Sequence, residues 1–262
     1  LSGDISDPDV AAANARGYNR WMGDFVSENR DRLYGVGVAP LQSTDHAVAE
    51  IAASTVFQFA GTNLSLEPSR SATVFAAETA RRAGRTVVFD LDLRADQWLD
   101  IRYFGAAARD TMRVVDVVVG TADELKGTVA ESASDATVTH SQVSDAHVAG
   151  DDDAAIAMIL SLGPRVVIEK VGDRGARVHE RTEGGTVVTE APGFPVEVVN
   201  VLGAGDAFGA GLIYGHVQGW PWPRAARLGN ACGAIVVTRH GCANFMPTLR
   251  EAMDIADQHG GL

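Results

Sequence analysis

The stretch Val198-Val-Asn-Val-Leu-Gly-Ala-Gly-Asp-Ala-Phe-Gly-Ala-Gly carries the residues best suited to chemistry. It reads as a strand running into a glycine-rich turn and then into a helix from about 205 to 217. Gly203 and Gly205 let backbone N–H groups approach an anion closely. The helix N-terminus behind them adds partial positive charge. Asp206 sits in the first turn, where a carboxylate can take a hydroxyl proton as the oxygen attacks phosphorus. One short segment thus offers a base and an anion hole, the pair that phosphoryl transfer needs. A plainer role for Asp206, as an acid satisfying free helix-start amides, stands beside this one. A dinucleotide fingerprint, Gly203-x-Gly205-x-x-x-Gly209, would require a following strand ending in an acid. Residues 221–227 instead read as a helix start, so hydride transfer is disfavoured.

The elements around this segment alternate. Helical spacing predicts helices over 8–30, 44–53, 68–83, 96–112, 154–162, 222–239 and 248–258. In the first of them, Val10, Ala13, Tyr18, Trp21, Met22 and Phe25 form the predicted apolar face. Val-rich runs predict strands at 33–39, 56–59, 86–92, 114–119 and 165–169, with a hairpin at 176–179 and 186–189. Continuous apolar strands separated by helices mean an α/β fold with a mainly parallel sheet buried on both faces. Residues 127–153 are Ser/Thr/Asp-rich and predict a surface excursion.

The bulk numbers narrow the classes. The chain has 262 residues, 46% apolar and 6% aromatic, with a formal net charge of −12. It has no Lys/Arg-rich run, which argues against a nucleic-acid partner. No apolar run is long enough to span a membrane. Cys232 and Cys242 are not spaced as a metal knuckle, so reduced thiols and a cytoplasmic setting are expected. The chain begins at Leu rather than Met, which points to an incomplete start.

Gly203-Ala-Gly-Asp-Ala-Phe resembles the C-terminal signature of the PfkB/ribokinase superfamily of carbohydrate kinases. Further stretches agree in order: Gly61-Thr-Asn-Leu-Ser-Leu-Glu-Pro-Ser-Arg, Phe89-Asp-Leu-Asp-Leu-Arg-Ala-Asp-Gln-Trp, Val119-Gly-Thr-Ala-Asp-Glu, Glu169-Lys-Val-Gly-Asp-Arg-Gly and Gly229-Asn-Ala-Cys-Gly-Ala. They look most like the branch acting on 5-dehydro-2-deoxygluconate in inositol catabolism. The resemblance covers about 54–262 and implies a three-layer ribokinase-like fold and transfer of the ATP γ-phosphate to a sugar or sugar-acid hydroxyl. It implies ATP and Mg²⁺ as cofactors and allows a monovalent cation, held by the carbonyls of Arg239 to Cys242.

By the same resemblance, Asp206 is the catalytic base, and the amides of Ala204, Gly205 and Asp206, with Gly203, form the anion hole. Lys170, Gly172, Gly175 and Asn230 border the nucleotide. Asp90, Asp92 and Arg94 face the phosphates or sugar, and Glu124 organises Mg²⁺ through water, with Thr121 where Asn is usual. Simpler roles remain open: a strand-end ion pair for Asp92 and Arg94, a solvated charge for Lys170, and a solvent-facing Asn230. The family's N-terminal strands, Gly-Gly motif and β-sheet lid have no visible counterpart. Residues 1–53 resemble instead a helix–strand–helix fragment of the amidohydrolase-2 family. With His46 their only histidine, they cannot build that family's metal site. A non-catalytic nucleotide-binding module and an amidohydrolase-derived protein are therefore the competing functions. A homo-oligomer is allowed.

Overall fold

The computed structural model describes residues 7–27, 44–140, 144–241 and 243–262. The predicted strand at 33–39 lies outside the described residues. Six strands form one sheet in the order β1-β2-β3-β6-β7-β8, with β1 Val56–Ala60, β2 Thr86–Asp90, β3 Val117–Thr121, β6 Val166–Lys170, β7 Gly175–Thr182 and β8 Gly185–Pro192. The first four are parallel, and β6-β7-β8 is an antiparallel meander.

Alternation along the strands divides the interior into two layers. Val87, Phe89, Val118 and Val167 point to one face, and Val88, Val117, Val119, Val166 and Ile168 point to the other. The first face packs under α3 (Ser69–Arg82), α4 (Ile101–Met112) and α6 (Asp152–Leu162). The second packs under α7 (Ala204–Val217) and α8 (Trp222–Val237), with α9 (Leu249–Gln258) outside α8. The result is the predicted three-layer α/β arrangement. Phe89, fully buried, stacks on Phe59 at a centroid distance of 4.6 Å and locks β2 to β1. Such pairs contribute about 0.5–1.5 kcal/mol beyond their buried area.

Several expectations shift. Among the described side chains of α1 (Pro8–Ser27), Ala11, Ala12 and Ala15 are buried, whereas Val10 and Ala13 of the predicted face are exposed; Trp21, Met22 and Phe25 lie outside the described side chains. α2 (Thr44–Ala53) shares the main core through Ile51, and the Ala52 carbonyl accepts from Arg85 Nε at 2.8 Å. α5 (Ala122–Gly127) ends as the 127–153 excursion begins, and the excursion holds a hairpin of β4 (Ala136–His140) and β5 (Ser144–Val148). Val148 is fully buried in the main core, and its N–H donates to Asp123 Oδ1 at 2.8 Å. The segment before Gly203 forms no strand. Val198, Val199, Val201 and Leu202 are about half exposed, and the amides of Val199 and Asn200 donate to the Val237 carbonyl instead of a sheet. Their β-branched composition mimics a strand, but the sheet is completed by β8 on that side.

Candidate functional site

The parallel strands end along one rim, and three charged groups meet there. Asp90 closes β2 and Lys170 closes β6. Glu124 stands in the first turn of α5, directly after β3, and β3 lies between β2 and β6. Lys170 Nζ lies 3.3 Å from Asp90 Oδ1 and 3.7 Å from Glu124 Oε2. Glu124 is fixed by a capping box, its Oε2 accepting from Thr121 N at 2.6 Å while Thr121 Oγ1 accepts from Glu124 N. Its other oxygen accepts from Leu93 N at 3.2 Å. That bond ties the 91–94 segment to the rim.

Burial raises the Asp90 pKa above the usual carboxylate value, and Lys170 offsets this in part. For Lys170, burial alone would lower the pKa, but Glu124, Asp90 and Asp92 outweigh it and hold the ammonium above the ordinary lysine value. Lys170 is therefore an embedded cation among carboxylates, not the solvated strand-end charge that was its simpler reading.

The glycine turn faces this cluster. Gly203 adopts φ 84°, the left-handed region that favours glycine, and opens α7. A methyl group built on Gly205 would lie 3.9 Å from Lys170 Nζ, so the ammonium adjoins the helix mouth. The expected anion hole is narrower than the sequence implied, since the Ala204 amide donates to Val201 O at 3.3 Å. The amides of Gly205 and Asp206 have no protein acceptor among the described residues, as the first turn of a helix leaves them. Asp206 is exposed, and no side chain caps α7. Its carboxylate accepts no hydrogen bond among the described residues, so the capping role that stood beside the base role is not exercised.

α7 is held in place by glycine-mediated packing. A Cβ on Gly211 would fall 2.9 Å from the Gly229 backbone, and one on Gly229 would fall 2.8 Å from Phe208 O. The two helices thus approach closely enough to fix the direction of α7.

The remaining residues sit at the edges. Asp92 has a positive φ of 31° and pairs with Arg94 at 2.9 Å, so the anticipated ion pair forms, at the rim beside Asp90. Gly172 (φ 66°) and Gly175 (φ 99°) shape the loop after Lys170. A Cβ on Gly175 would lie 2.3 Å from Ala191 O, which no other residue tolerates. Asn230, expected beside the nucleotide, does not face solvent as its simpler reading had it. It is buried, and Nδ2 donates to Ala191 O at 2.7 Å and Pro192 O at 3.0 Å. Of the Arg239–Cys242 stretch, Cys242 lies outside the described residues, and Arg239 is bound to the Phe245 carbonyl and to Glu251.

Arg227 was missed by the sequence reading. It is buried on the same face of α8 as Asn230, and a charged residue inside an otherwise small, apolar helix face was the available signal. Among the described residues no group of three His, Cys, Asp or Glu side chains is arranged to hold a metal directly. Nor is any helix there long and apolar enough to cross a membrane. A cleft of about 430 Å³ opens at the opposite ends of the strands, between Thr86, Asp116 and His216, and shares no residue with this rim.

A mainly parallel sheet covered by helices on both faces, with a glycine-led helix mouth at its carboxyl rim, defines the class. The model of the pfkB family of carbohydrate kinases matches residues 26–249, and the chain belongs to that family. The match begins well inside the 1–53 segment, and nothing in these comparisons supports an amidohydrolase origin for it. The chain is 31% identical to 5-dehydro-2-deoxygluconokinase of Geobacillus kaustophilus over 87% of its own length and 63% of the relative's. It is 32% identical to the enzyme of that name in Geobacillus thermodenitrificans, over 83% and 60%. The chain thus spans about three fifths of the curated relatives it matches. Among solved structures, a ribokinase II from E. coli in complex with ATP and Mg²⁺ is 26% identical with a TM-score of 0.65, covering 83% of this chain and 63% of that one. Aminoimidazole riboside kinase of Salmonella enterica, complexed with its riboside and an ATP analogue, is 26% identical with a TM-score of 0.62, over 76% and 62%.

Proposed function

We propose that the chain carries the ATP-binding and phosphoryl-transfer half of a sugar kinase whose acceptor is a sugar acid of the 5-dehydro-2-deoxygluconate type. The observation that carries this reading is Asp206, exposed and uncapped at a helix mouth whose two open amides stand beside Lys170. In that place the carboxylate receives the acceptor hydroxyl's proton as the oxygen attacks the γ-phosphorus. The Gly205 and Asp206 amides and the helix dipole stabilise the charge on the transferred group. Asp90, Asp92 and Arg94 face the acceptor or the phosphates, and the Gly172–Gly175 loop borders the nucleotide.

The donor set of the rim is all carboxylate oxygen, which suits a hydrated hard cation such as Mg²⁺. Both Glu124 oxygens already accept backbone N–H groups, so Glu124 would reach the metal through water. When bound, Mg²⁺ supplies charge neutralisation to the polyphosphate. Lys170 and Glu124 keep the rim in one arrangement while it does so. The names of the relatives support the acceptor class, and the kinase complexes with ATP support the donor.

The test is calorimetric titration with ATP, with and without Mg²⁺, followed by turnover with 5-dehydro-2-deoxygluconate for wild type and Asp206→Asn. Both proteins are expected to bind MgATP, with transfer reduced roughly 10²–10⁴-fold in the variant. Equal turnover would remove the base assignment. Binding without turnover in either protein would instead favour a nucleotide-binding module.

A further inference from the structure

We propose that Arg227, together with Asn230 one turn later, is a positioning residue that sets the 171–175 loop from behind. The inference deepens the kinase reading, on which the loop borders the nucleotide. Arg227 is 8% exposed within α8. Nη1 donates to the Pro192 carbonyl and to Gly193 O at 2.9 Å, Nη2 to His259 O at 3.1 Å, and Nε to Gly261 O at 3.4 Å. Its planar face lies 3.8 Å from the centre of the Phe194 ring. Asn230 adds donors to Ala191 O and Pro192 O. Three consecutive carbonyls, 191 to 193, are thereby gripped by one face of one helix.

Those same three residues hold the loop. Gly193 N donates to Arg174 O at 2.8 Å, and Gly175 pairs with Pro192 in the β7–β8 ladder. The contact is backbone on backbone: a Cβ on Gly193 would lie 2.1 Å from Asp173 O. Val171 N closes the loop by donating to Gly175 O at 2.9 Å. The chain of contacts therefore runs from Arg227 through 191–193 to 171–175, and Lys170 at the rim directly precedes it.

A purely structural role would not need this chemistry. No carboxylate side chain pairs with Arg227 among the described residues, and burial pulls its pKa below the ordinary arginine value. Burying a guanidinium compensated by carbonyl dipoles is costly, and an apolar residue would fill the volume more cheaply. What the rigid fork provides is geometry: several acceptors fixed at once from a helix that also packs against α7.

The test uses the whole chain and two readouts. Without nucleotide, hydrogen exchange at the Val171 and Gly193 amides is measured in wild type, Arg227→Lys, Asn230→Ser and, as a control, Arg181→Ala. Arg181 also grips two carbonyls, Leu160 O at 2.8 Å and Gly163 O at 3.1 Å, but under α6. Both α8 variants are expected to speed exchange at those two amides about tenfold, with the amides of β1–β3 unchanged. Arg181→Ala should leave them as in wild type. Unchanged exchange in Arg227→Lys, or an equal rise in the Arg181 control, overturns the proposal. The second readout is MgATP titration, where Arg227→Lys should weaken binding about tenfold while Arg181→Ala does not. Loop exchange that rises in a chain whose wild type binds no ATP retains the clamp and removes the kinase reading instead.

Discussion

Replacing Lys170 with Met should reveal how the rim is held together. The ammonium lies 3.3 and 3.7 Å from two carboxylates, and the three side chains are only 14–19% exposed. At an effective dielectric of about 20, each contact attracts by roughly 4–5 kcal/mol before desolvation. Desolvating three ions offsets much of this. Removing one partner of such a buried pair nonetheless costs about 3–5 kcal/mol, because the others are left uncompensated. Residual water access places the expected loss near the lower end, about 3 kcal/mol, or about 1 M in the urea midpoint. The pH dependence is the sharper test. The folded pKa of Asp90 already lies above its unfolded value, so its contribution to stability is fully present below about pH 3.8 and is lost as pH rises through the folded value. Without Lys170 that value rises further. The variant should therefore be weakest at pH 8 and recover at least half of the deficit at pH 5. Urea titrations at both pH values measure this. A deficit of the same size at pH 5 and pH 8, or none at pH 8, would refute the account of Lys170 as the cation that offsets the burial of Asp90.

Two further outcomes are expected. Burial pushes the Cys232 thiol up to about 12, so in a Cys242→Ser background it should resist a disulfide reagent at pH 8 until urea unfolds the chain; prompt reaction in the native state would contradict the close packing of α7 on α8. Glu124→Gln removes one charge and weakens the α5 capping box, so it should cost about 1 kcal/mol in stability and reduce the Mg²⁺ dependence of ATP binding. Titrations at several Mg²⁺ concentrations read the second effect.

Much of this architecture was visible in the residues. The Val-rich runs over 86–92 and 165–169 placed Asp90 and Lys170 within two residues of a strand end, and their continuous apolar character required a buried parallel sheet. Gly203 marked a turn because its φ excludes other side chains. What stayed hidden depended on distant partners. Val198 to Leu202 read as a strand by composition, but whether such a run joins a sheet is decided by which edge is free. Asn230 looked like a ligand contact because its type and place agree with one. Its commitment to Ala191 and Pro192 is set by how α8 lies on β8, which local spacing does not encode. Arg227 left a weaker trace still, one charge in an apolar face.

The balance of charge at the rim bears on how an acidic chain could take up a polyphosphate. Two cations, Lys170 and Arg94, stand among four carboxylates, those of Asp90, Asp92, Glu124 and Asp206. Both cations are already paired, Lys170 with Asp90 and Glu124, and Arg94 with Asp92. Neither is a free counter-charge for phosphate, and the raised pKa of Asp90 reflects the carboxylate excess as well as burial. Attraction for an anion must then come from uncharged sources, the open Gly205 and Asp206 amides and the α7 dipole, or arrive with the nucleotide as a divalent cation. On this argument Lys170 holds the acidic groups in place more than it holds phosphate. On the proposed reading, the positive potential beside Asp206 is built into the helix mouth, where an acceptor hydroxyl would meet it.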